Sequence, residues 1–360
     1  MNEMPVKQSS WTAKAPSNIA LIKYMGKKEN NVPLNASLSY TLDGFITEVS
    51  LELTFECDKY VGDMQLSNQS IDRFINHLKY IKEITNCQEF FAISSTNTNA
   101  NVTLDPFSAS PSSEMYASAI FNAEAAAVIE NARGATTVML GKRIQRHVGF
   151  PEGAGMASSA SSFAALTVCA FKAICDIKGT PMPSVDYMSS VSRVGSGSSC
   201  RSFFAPWCLW RDENAEKIDI KISKLLHDVI IVDDKPKEIS SSLAHKLVQT
   251  SLLMPGREKR VEVRLEQLIL HLNNLRWDAA YQVCWEEFWD MHVLFETASP
   301  SFGYMHANTI RVLSEIRKFW KRNGDGPIVT IDAGPNVHLL WRAESLQHRH
   351  SLLQCLQQMH

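Results

Sequence analysis

What this sequence has little of narrows its function first. It has no surplus of basic charge: 36 lysines and arginines stand against 38 aspartates and glutamates, a net charge of −2. A nucleic-acid partner calls for a basic stripe or excess, so that class is set aside and any anion site must be local. No run approaches the roughly eighteen uninterrupted apolar residues of a membrane-spanning helix. The opening M-N-E-M-P-V-K-Q-S-S lacks the charged-then-apolar order of a secretory signal, and the expectation is a cytoplasmic chain with no membrane partner. Eight cysteines, at 57, 87, 169, 175, 200, 208, 284 and 355, contain no C-x-x-C pair. Spread over so long a chain, they are expected to be reduced and mostly buried, with neither a zinc site nor a disulfide framework. The chain also lacks an internal repeat, a Walker G-x-x-x-x-G-K-[ST] loop and a G-x-G-x-x-G fingerprint.

What is present is an ordinary globular composition, 45% hydrophobic and 21% charged, over 360 residues. That length exceeds one core, so two lobes are expected, 1–212 and 213–360, divided in the polar run from Trp210 to Lys217. Phe45, Thr47, Val49, Leu51, Leu53 and Phe55 alternate with polar neighbours and predict a strand. Ile71, Phe74, Ile75, Leu78 and Ile81 predict a helix capped by Asn68 or Ser70. Further helices are expected over 157–177, 265–275 and 280–296, and strands over 228–232 and 327–331. Residues 94–117, rich in Ser, Thr and Asn, read as a surface loop, and 114–130 as an alanine-rich helix. The order mixes strands and helices without strict alternation, so the fold class is α+β.

Four short stretches carry the chemistry. In the stretch from Ala15 to Lys27, A-P-S-N-I-A-L-I-K-Y-M-G-K, a strand-like run ends in two lysines. In P-E-G-A-G-M-A-S-S-A, from Pro151 to Ala160, small residues open a helix whose free N–H groups and positive dipole end suit phosphate. The turn G-S-G-S-S-C-R-S, from Gly195 to Ser202, delivers Arg201, whose planar fork matches a carboxylate. Asp332, before Ala-Gly-Pro-Asn at a strand end, can take a proton or orient a hydroxyl if a cation keeps it ionised. Read singly, each has a plainer account: a serine-capped glycine turn, a tight turn with a surface arginine, a turn-capping aspartate. Cys200 reads as buried packing and His292 as a satisfied, half-buried helix residue.

Together, in this order, the blocks resemble the GHMP kinases, and within them the diphosphomevalonate decarboxylase family. The first is similar to that family's A-P-x-N-I-A-x-I-K-Y-W-G-K and is followed by the similar N-A-S-L-S-Y-T-L from Asn35; G-M-A-S-S-A, G-S-G-S-S-C-R-S and D-A-G-P-N match its other motifs. The resemblance implies an N-terminal lobe of the ribosomal-protein-S5-like type and a C-terminal ferredoxin-like lobe, with the active site in the cleft between. It implies ATP with Mg2+ and mevalonate 5-diphosphate as partners, and a homodimer. By position, Asp332 would act on the tertiary hydroxyl and Lys23 would keep it ionised. Arg201 would grip the substrate carboxylate with Asn18, beside Ser196 and Ser198, while Tyr24 and Lys27 would contact the diphosphate. Gly153, Gly155, Ser158 and Ser159 would hold the ATP phosphates, with Ser159 also touching the metal. Two departures stand out: Met25 occupies the family's tryptophan position, and residues 98–149 intervene between the strand-like F-F-A-I-S-S-T-N from Phe90 and the phosphate loop. That segment reads as a possible insertion.

Two other readings compete with decarboxylation. A relative could phosphorylate mevalonate or a mevalonate phosphate without releasing carbon dioxide, and a silent binding protein could keep the fold alone. Lys23, Arg201 and Asp332 together favour the decarboxylase.

Overall fold

The computed structural model describes residues 9–62, 66–99, 127–130, 136–139, 158–233, 235 and 237–358, the two short internal pieces by backbone alone. The first half of the chain supplies β1 (Ser10–Ile22), β2 (Ser37–Thr54), β3 (Lys59–Tyr60), α1 (Asn68–Thr85), β4 (Phe90–Asn99), β5 (Ala127–Glu130), β6 (Thr136–Met139), α2 (Ser158–Lys178) and α3 (Val185–Gly195). A 3-10 turn over Gly197–Phe203 leads into the hairpin β7 (Trp207–Arg211) and β8 (Asn214–Lys217). Then come β9 (Leu225–Ile231), α4 (Ser241–Leu247), α5 (Arg257–Asn273), α6 (Trp277–Glu296), α7 (Ala307–Asn323), β10 (Ile328–Ile331), β11 (Val337–Arg342) and α8 (Leu346–Gln357).

Two sheets organise these elements. In the first, β1 runs antiparallel along almost all of β2, from Ser10 opposite Glu52 to Ile22 opposite Leu38. A strand has only two edges, so β4 and β7 divide the other edge of β2, β4 pairing residues 45–54 and β7 residues 37–40. The distal half of this sheet buries Val49, Leu51, Phe91 and Ile93 against α1, α2 and α3 through Leu78, Phe163 and Leu166. The proximal half is covered by the second lobe, where Ile19, Leu21, Leu38 and Tyr40 meet Val261, Leu265, Ala280 and Leu340. The second sheet runs β10-β11-β9-β6-β5 and rests its far face on α6, α7 and α8. One sheet therefore spans both cores, which fixes the lobes against each other along β1.

Most elements lie where the periodicity places them, with instructive exceptions. The helix cap is Ser67, whose hydroxyl accepts from the Ser70 N–H at 3.2 Å, in place of Asn68 or Ser70. Phe55 falls past the end of β2 and is fully exposed, because the ladder stops at Thr54. Leu275 lies beyond α5 with a positive φ of 57°. Residues 94–99 are not loop: they complete β4, held in register by β2 and by the Thr47 hydroxyl donating to Asn97 at 2.9 Å. Cross-strand pairing overrides their polar composition. Of the helix expected over 114–130, residues 127–130 form β5, and β6 pairs in parallel with β9, so this segment contributes an edge to the second sheet. The rest of 98–149, including the expected loop 100–117, lies outside the described residues. The expected division at 212 and 213 falls in the turn of the β7–β8 hairpin, where Asp212 takes a positive φ of 50°.

Candidate active site

Where β1 ends at the seam of the lobes, its next residue turns its side chain toward the second lobe. Lys23 is 2% exposed, and its Nζ forms an ion pair with Asp332 Oδ1 in the turn after β10. The Thr330 hydroxyl of β10 donates to the Ala20 carbonyl at 3.0 Å, fastening β10 to β1 just before Asp332. Burial by itself pushes the Asp332 carboxyl up, but Lys23, His338 and Arg201 outweigh it and hold it below the usual carboxylate range. Burial likewise draws the Lys23 ammonium down, opposed first by Asp332. The Asp332 side chain keeps 27% of its surface open, so the pair is anchored on one side and accessible on the other. His292 is more deeply buried than expected, 3% exposed, and its Nε2 meets the Asp332 carbonyl at 3.1 Å. Burial takes that imidazole down to about 3, which leaves it neutral and able to support the turn.

Arg201 lies on the opposite wall, 4% exposed. Its Nε donates to Asn18 Oδ1 at 3.1 Å and its Nη1 to the Ser37 hydroxyl at 2.6 Å. Asn18 is itself pinned, donating to the Ser202 hydroxyl at 2.8 Å and the Ser198 carbonyl at 3.2 Å. The guanidinium also lies over the Tyr24 and Trp210 rings, at 5.5 and 5.6 Å. No described carboxylate pairs with Arg201, and its Nη2 makes no hydrogen bond to a described residue, so the fork is fixed with one prong free. Gly197 makes this packing possible: a Cβ there would stand 3.1 Å from both Trp210 and the Tyr24 hydroxyl. Ser196 enters through its backbone, its carbonyl accepting from the Ser199 hydroxyl at 2.6 Å. Cys200 is fully buried, with its thiol pushed up by burial, as packing requires.

Beside Tyr24 the cleft turns electropositive. Lys27 is drawn down to about 8 by burial and by the neighbouring charges of Arg73 and Lys246. Its ammonium donates to Asn31 Oδ1 at 2.8 Å, and among the described residues no carboxylate neutralises it. Arg73 reaches over from α1, donating to the Gly195 carbonyl at 3.1 Å. His245 stacks on Tyr24 with ring centroids 4.7 Å apart, and burial holds it neutral at about 3. Gly26 takes a φ of +79°, and a Cβ there would come within 2.5 Å of Gln249 and Leu34; only glycine lets the chain turn Lys27 into this corner. Met25 is buried, 3% exposed, among Val248, Met291, Leu294 and Phe295, so the change from tryptophan bears on packing between the lobes.

Of the phosphate-loop residues, Gly153 and Gly155 lie outside the described residues, as does the side chain of Ser158. α2 does begin at Ser158, and Ser159 in its first turn is exposed. Two residues on, the Ser161 hydroxyl contacts Ser17 at 3.1 Å and Thr47 at 2.7 Å. The start of α2 therefore meets β1 next to Asn18, and its exposed first-turn hydroxyl suits phosphate oxygen or a hard cation bound to it.

Sequence reasoning missed Arg73, Lys246, His245 and Lys237. Burial draws the Lys237 ammonium down, with Asp332 near enough to oppose the effect. None of these lies in a motif; the available signal was only an arginine beside the apolar stripe of α1 and lysines in a polar run.

Comparison with known proteins places this geometry. Residues 15–133 and 117–221 match the family described as diphosphomevalonate decarboxylase-like N-terminal domain, and residues 228–360 the mevalonate 5-diphosphate decarboxylase C-terminal domain. The diphosphomevalonate decarboxylase of Saccharomyces cerevisiae is 27% identical over 350 residues, 92% of this chain and 77% of the relative. A crystal structure of a mevalonate diphosphate decarboxylase from Legionella pneumophila is 40% identical, with a TM-score of 0.78 covering 96% of this chain and 97% of that one. A structure of the protein named MDDEF in complex with MVAPP, AMPPCP and magnesium is 25% identical, with a TM-score of 0.74 covering 96% and 93%. The likeness runs through both lobes, and the two-lobed α+β GHMP kinase fold expected from the sequence is the fold observed.

Proposed function

The chain belongs to the diphosphomevalonate decarboxylase family, and we propose that it converts mevalonate 5-diphosphate to isopentenyl diphosphate, consuming ATP and releasing ADP, phosphate and carbon dioxide. The observation that carries this reading is an ionised carboxylate, Asp332, held by buried Lys23 across the cleft from a fixed guanidinium, Arg201, that pairs with no carboxylate among the described residues.

The chemistry follows from the charges. A tertiary hydroxide is a poor leaving group and a phosphate ester a good one, so phosphorylation comes first. Asp332 orients the tertiary hydroxyl and accepts its proton as the oxygen attacks the terminal phosphorus of ATP. Arg201 holds the substrate carboxylate through its free prong. When phosphate departs, the electron pair of the bond to the carboxylate forms the new double bond and carbon dioxide leaves. Tyr24 and Lys27, with Arg73 and Lys246 adding to the field, anchor the diphosphate remote from the reacting carbon. Ser159 and the start of α2, with the loop bearing Gly153, Gly155 and Ser158, bind the ATP phosphates. Magnesium, when bound, neutralises phosphate charge, and Ser159 fits as its protein oxygen.

The same reading makes the enzyme cytoplasmic and homodimeric; the eight cysteines, all free, are in keeping with a reducing compartment. Incubation with ATP, magnesium and mevalonate 5-diphosphate should release carbon dioxide and ADP in equal amounts. ADP without carbon dioxide would make the chain a kinase, and no turnover a binding protein.

A further inference from the structure

Lys23 sits one residue beyond the β1–β2 ladder, whose last pair is Ile22 with Leu38. Its backbone groups are buried and out of reach of strand pairing, yet such groups must find partners. They find them in Glu287 and Arg257 of the second lobe and in Asn35 of the first. The Lys23 N–H donates to Glu287 Oε1 at 3.1 Å, and the Lys23 carbonyl accepts from Arg257 Nη2 at 3.0 Å and from Asn35 Nδ2 at 2.9 Å. Glu287 and Arg257 are both 0% exposed and paired with each other.

Around them lies a larger network, with Arg257, Arg260 and Arg264 on α5 facing Glu287 and Asp290 on α6. Arg264 Nη1 reaches Glu287 at 3.0 Å and Asp290 at 2.7 Å, while Arg260 reaches Asp290 at 3.0 Å. Joining α5 to α6 does not call for this much buried charge. Ion pairs taken out of water lose most of their Coulombic gain to desolvation, and apolar side chains of similar size would join two helices as well. Arg257 and Glu287, which touch Lys23, are fully buried; Asp290, which also pairs with Arg257, and Arg260, which pairs with Asp290, are partly open.

We propose that Arg257 and Glu287 form a clamp that positions Lys23, fixing the peptide groups on both sides of its Cα so that its side chain reaches Asp332. The inference rests on the decarboxylase reading. Lysine is a long, flexible side chain, and without a fixed root its ammonium would sample many rotamers. Around that ammonium Asp332 and Glu287 are the anions and Arg201 the cation, with His292, His338 and the Cys284 thiol neutral beside it. Burial is the largest influence on Lys23 and draws it down; Asp332 and then Glu287 oppose that. Removing the Glu287 charge lowers Lys23 further, so its proton is lost at lower pH and the alkaline limb of kcat moves down.

The test compares three variants of the full chain with wild type. Glu287→Gln keeps an acceptor for the Lys23 N–H and removes the charge: the alkaline limb of kcat moves down by about one pH unit, with KM for ATP little changed. Glu287→Asp keeps the charge and withdraws the carboxylate: kcat falls roughly tenfold with the limb in place, and a crystal structure shows Lys23 Nζ displaced from Asp332. Arg260→Gln weakens the network away from Lys23, since Arg260 pairs with Asp290 and touches neither Glu287 nor Arg257: the melting temperature falls, while kcat, its pH profile and the Lys23–Asp332 contact stay as in wild type. Should Glu287→Gln not fold, Glu287→Asp decides alone. If the Glu287 and Arg260 variants lose stability alike and all keep the wild-type profile and contact, the network is only glue between helices and the clamp is wrong. An inactive wild type would overturn the decarboxylase reading, and the displacement of Lys23 in the crystal structures would still decide the clamp.

Discussion

The cleft meets anions in two regions built on opposite plans. Around Arg201, two donors of the guanidinium are engaged by Asn18 and Ser37, the ring faces of Tyr24 and Trp210 confine it, and one prong is free. Around Lys27, like charges stand together, Arg73 half-buried and Lys246 exposed, with no described carboxylate among them. A rigid fork suits a carboxylate that must break away along a defined line. A field of adjustable cations suits a diphosphate, which carries more charge and does not react. The first region contributes geometry and the second contributes electrostatic potential, so they should fail differently.

The largest effect is expected at Asp332, which belongs to neither region. Asp332→Asn removes basicity while both anion sites remain, so turnover should fall on the order of a thousand-fold with substrate affinity held within a few-fold. Retention of a tenth of normal turnover would make the carboxylate structural. Arg201→Gln should come next, lowering kcat/KM by at least tens-fold through loss of the charged donor that meets the carboxylate. Its melting temperature should scarcely move, because the change also removes a buried charge that has no carboxylate partner among the described residues. A large stability loss with unchanged kinetics would assign Arg201 to packing.

Lys27→Gln should be milder and of another kind: KM for the diphosphate substrate rises about tenfold, kcat changes little, and the wild-type advantage shrinks with added salt. Because Lys27 is lowered to about 8, first by burial and then by Arg73 and Lys246, the free enzyme loses this charge above that pH. Wild-type kcat/KM should therefore fall above about pH 8, and in Lys27→Gln that limb should vanish. A limb that persists in the variant would remove Lys27 from the diphosphate site.

The smallest effect is on stability. Neutral histidines stand behind both regions: burial lowers His292, His245 and His77 to about 3 and His338 to about 4, and His227, paired with His338 at 2.9 Å, lies well below its ordinary value. The unfolded chain takes up these protons first. Stability is then complete above the unfolded value near 6.5 and is lost as pH falls, by about 1.4 kcal/mol per pH unit for each histidine titrating. Unfolding in urea at a series of pH values reads the slope, and Leu or Phe in place of His292 should flatten it.

The residues proposed to touch reacting groups were legible because they lie in short blocks whose spacing is tied to a turn or a strand end. Lys23 and Asp332 needed no structure to be named. Lys27, Tyr24 and Asn18 came with the same block, and the structure brings all of them with Arg201 to one cleft. Arg73, Lys246 and Lys237 were not legible, since each reaches the cleft from an element whose local pattern describes only its own packing. Residues 94–99 were misread for a related reason: a polar strand is specified by its neighbour's ladder, not by its own hydrophobicity.

By itself, then, the sequence determined the α+β class, most helices and strands, the family, and the chemistry of the groups in each motif. Those follow from local periodicity and from residue types whose acid, base or donor character travels with them. The tertiary structure alone decided which charges are paired and which are left free. Lys23 is held by Asp332 from the far end of the chain and its backbone by α5 and α6, while Arg201 has no carboxylate paired with it among the described residues. Burial and proximity set those outcomes, and both depend on residues hundreds of positions apart meeting in a low-dielectric cleft, which no local pattern encodes.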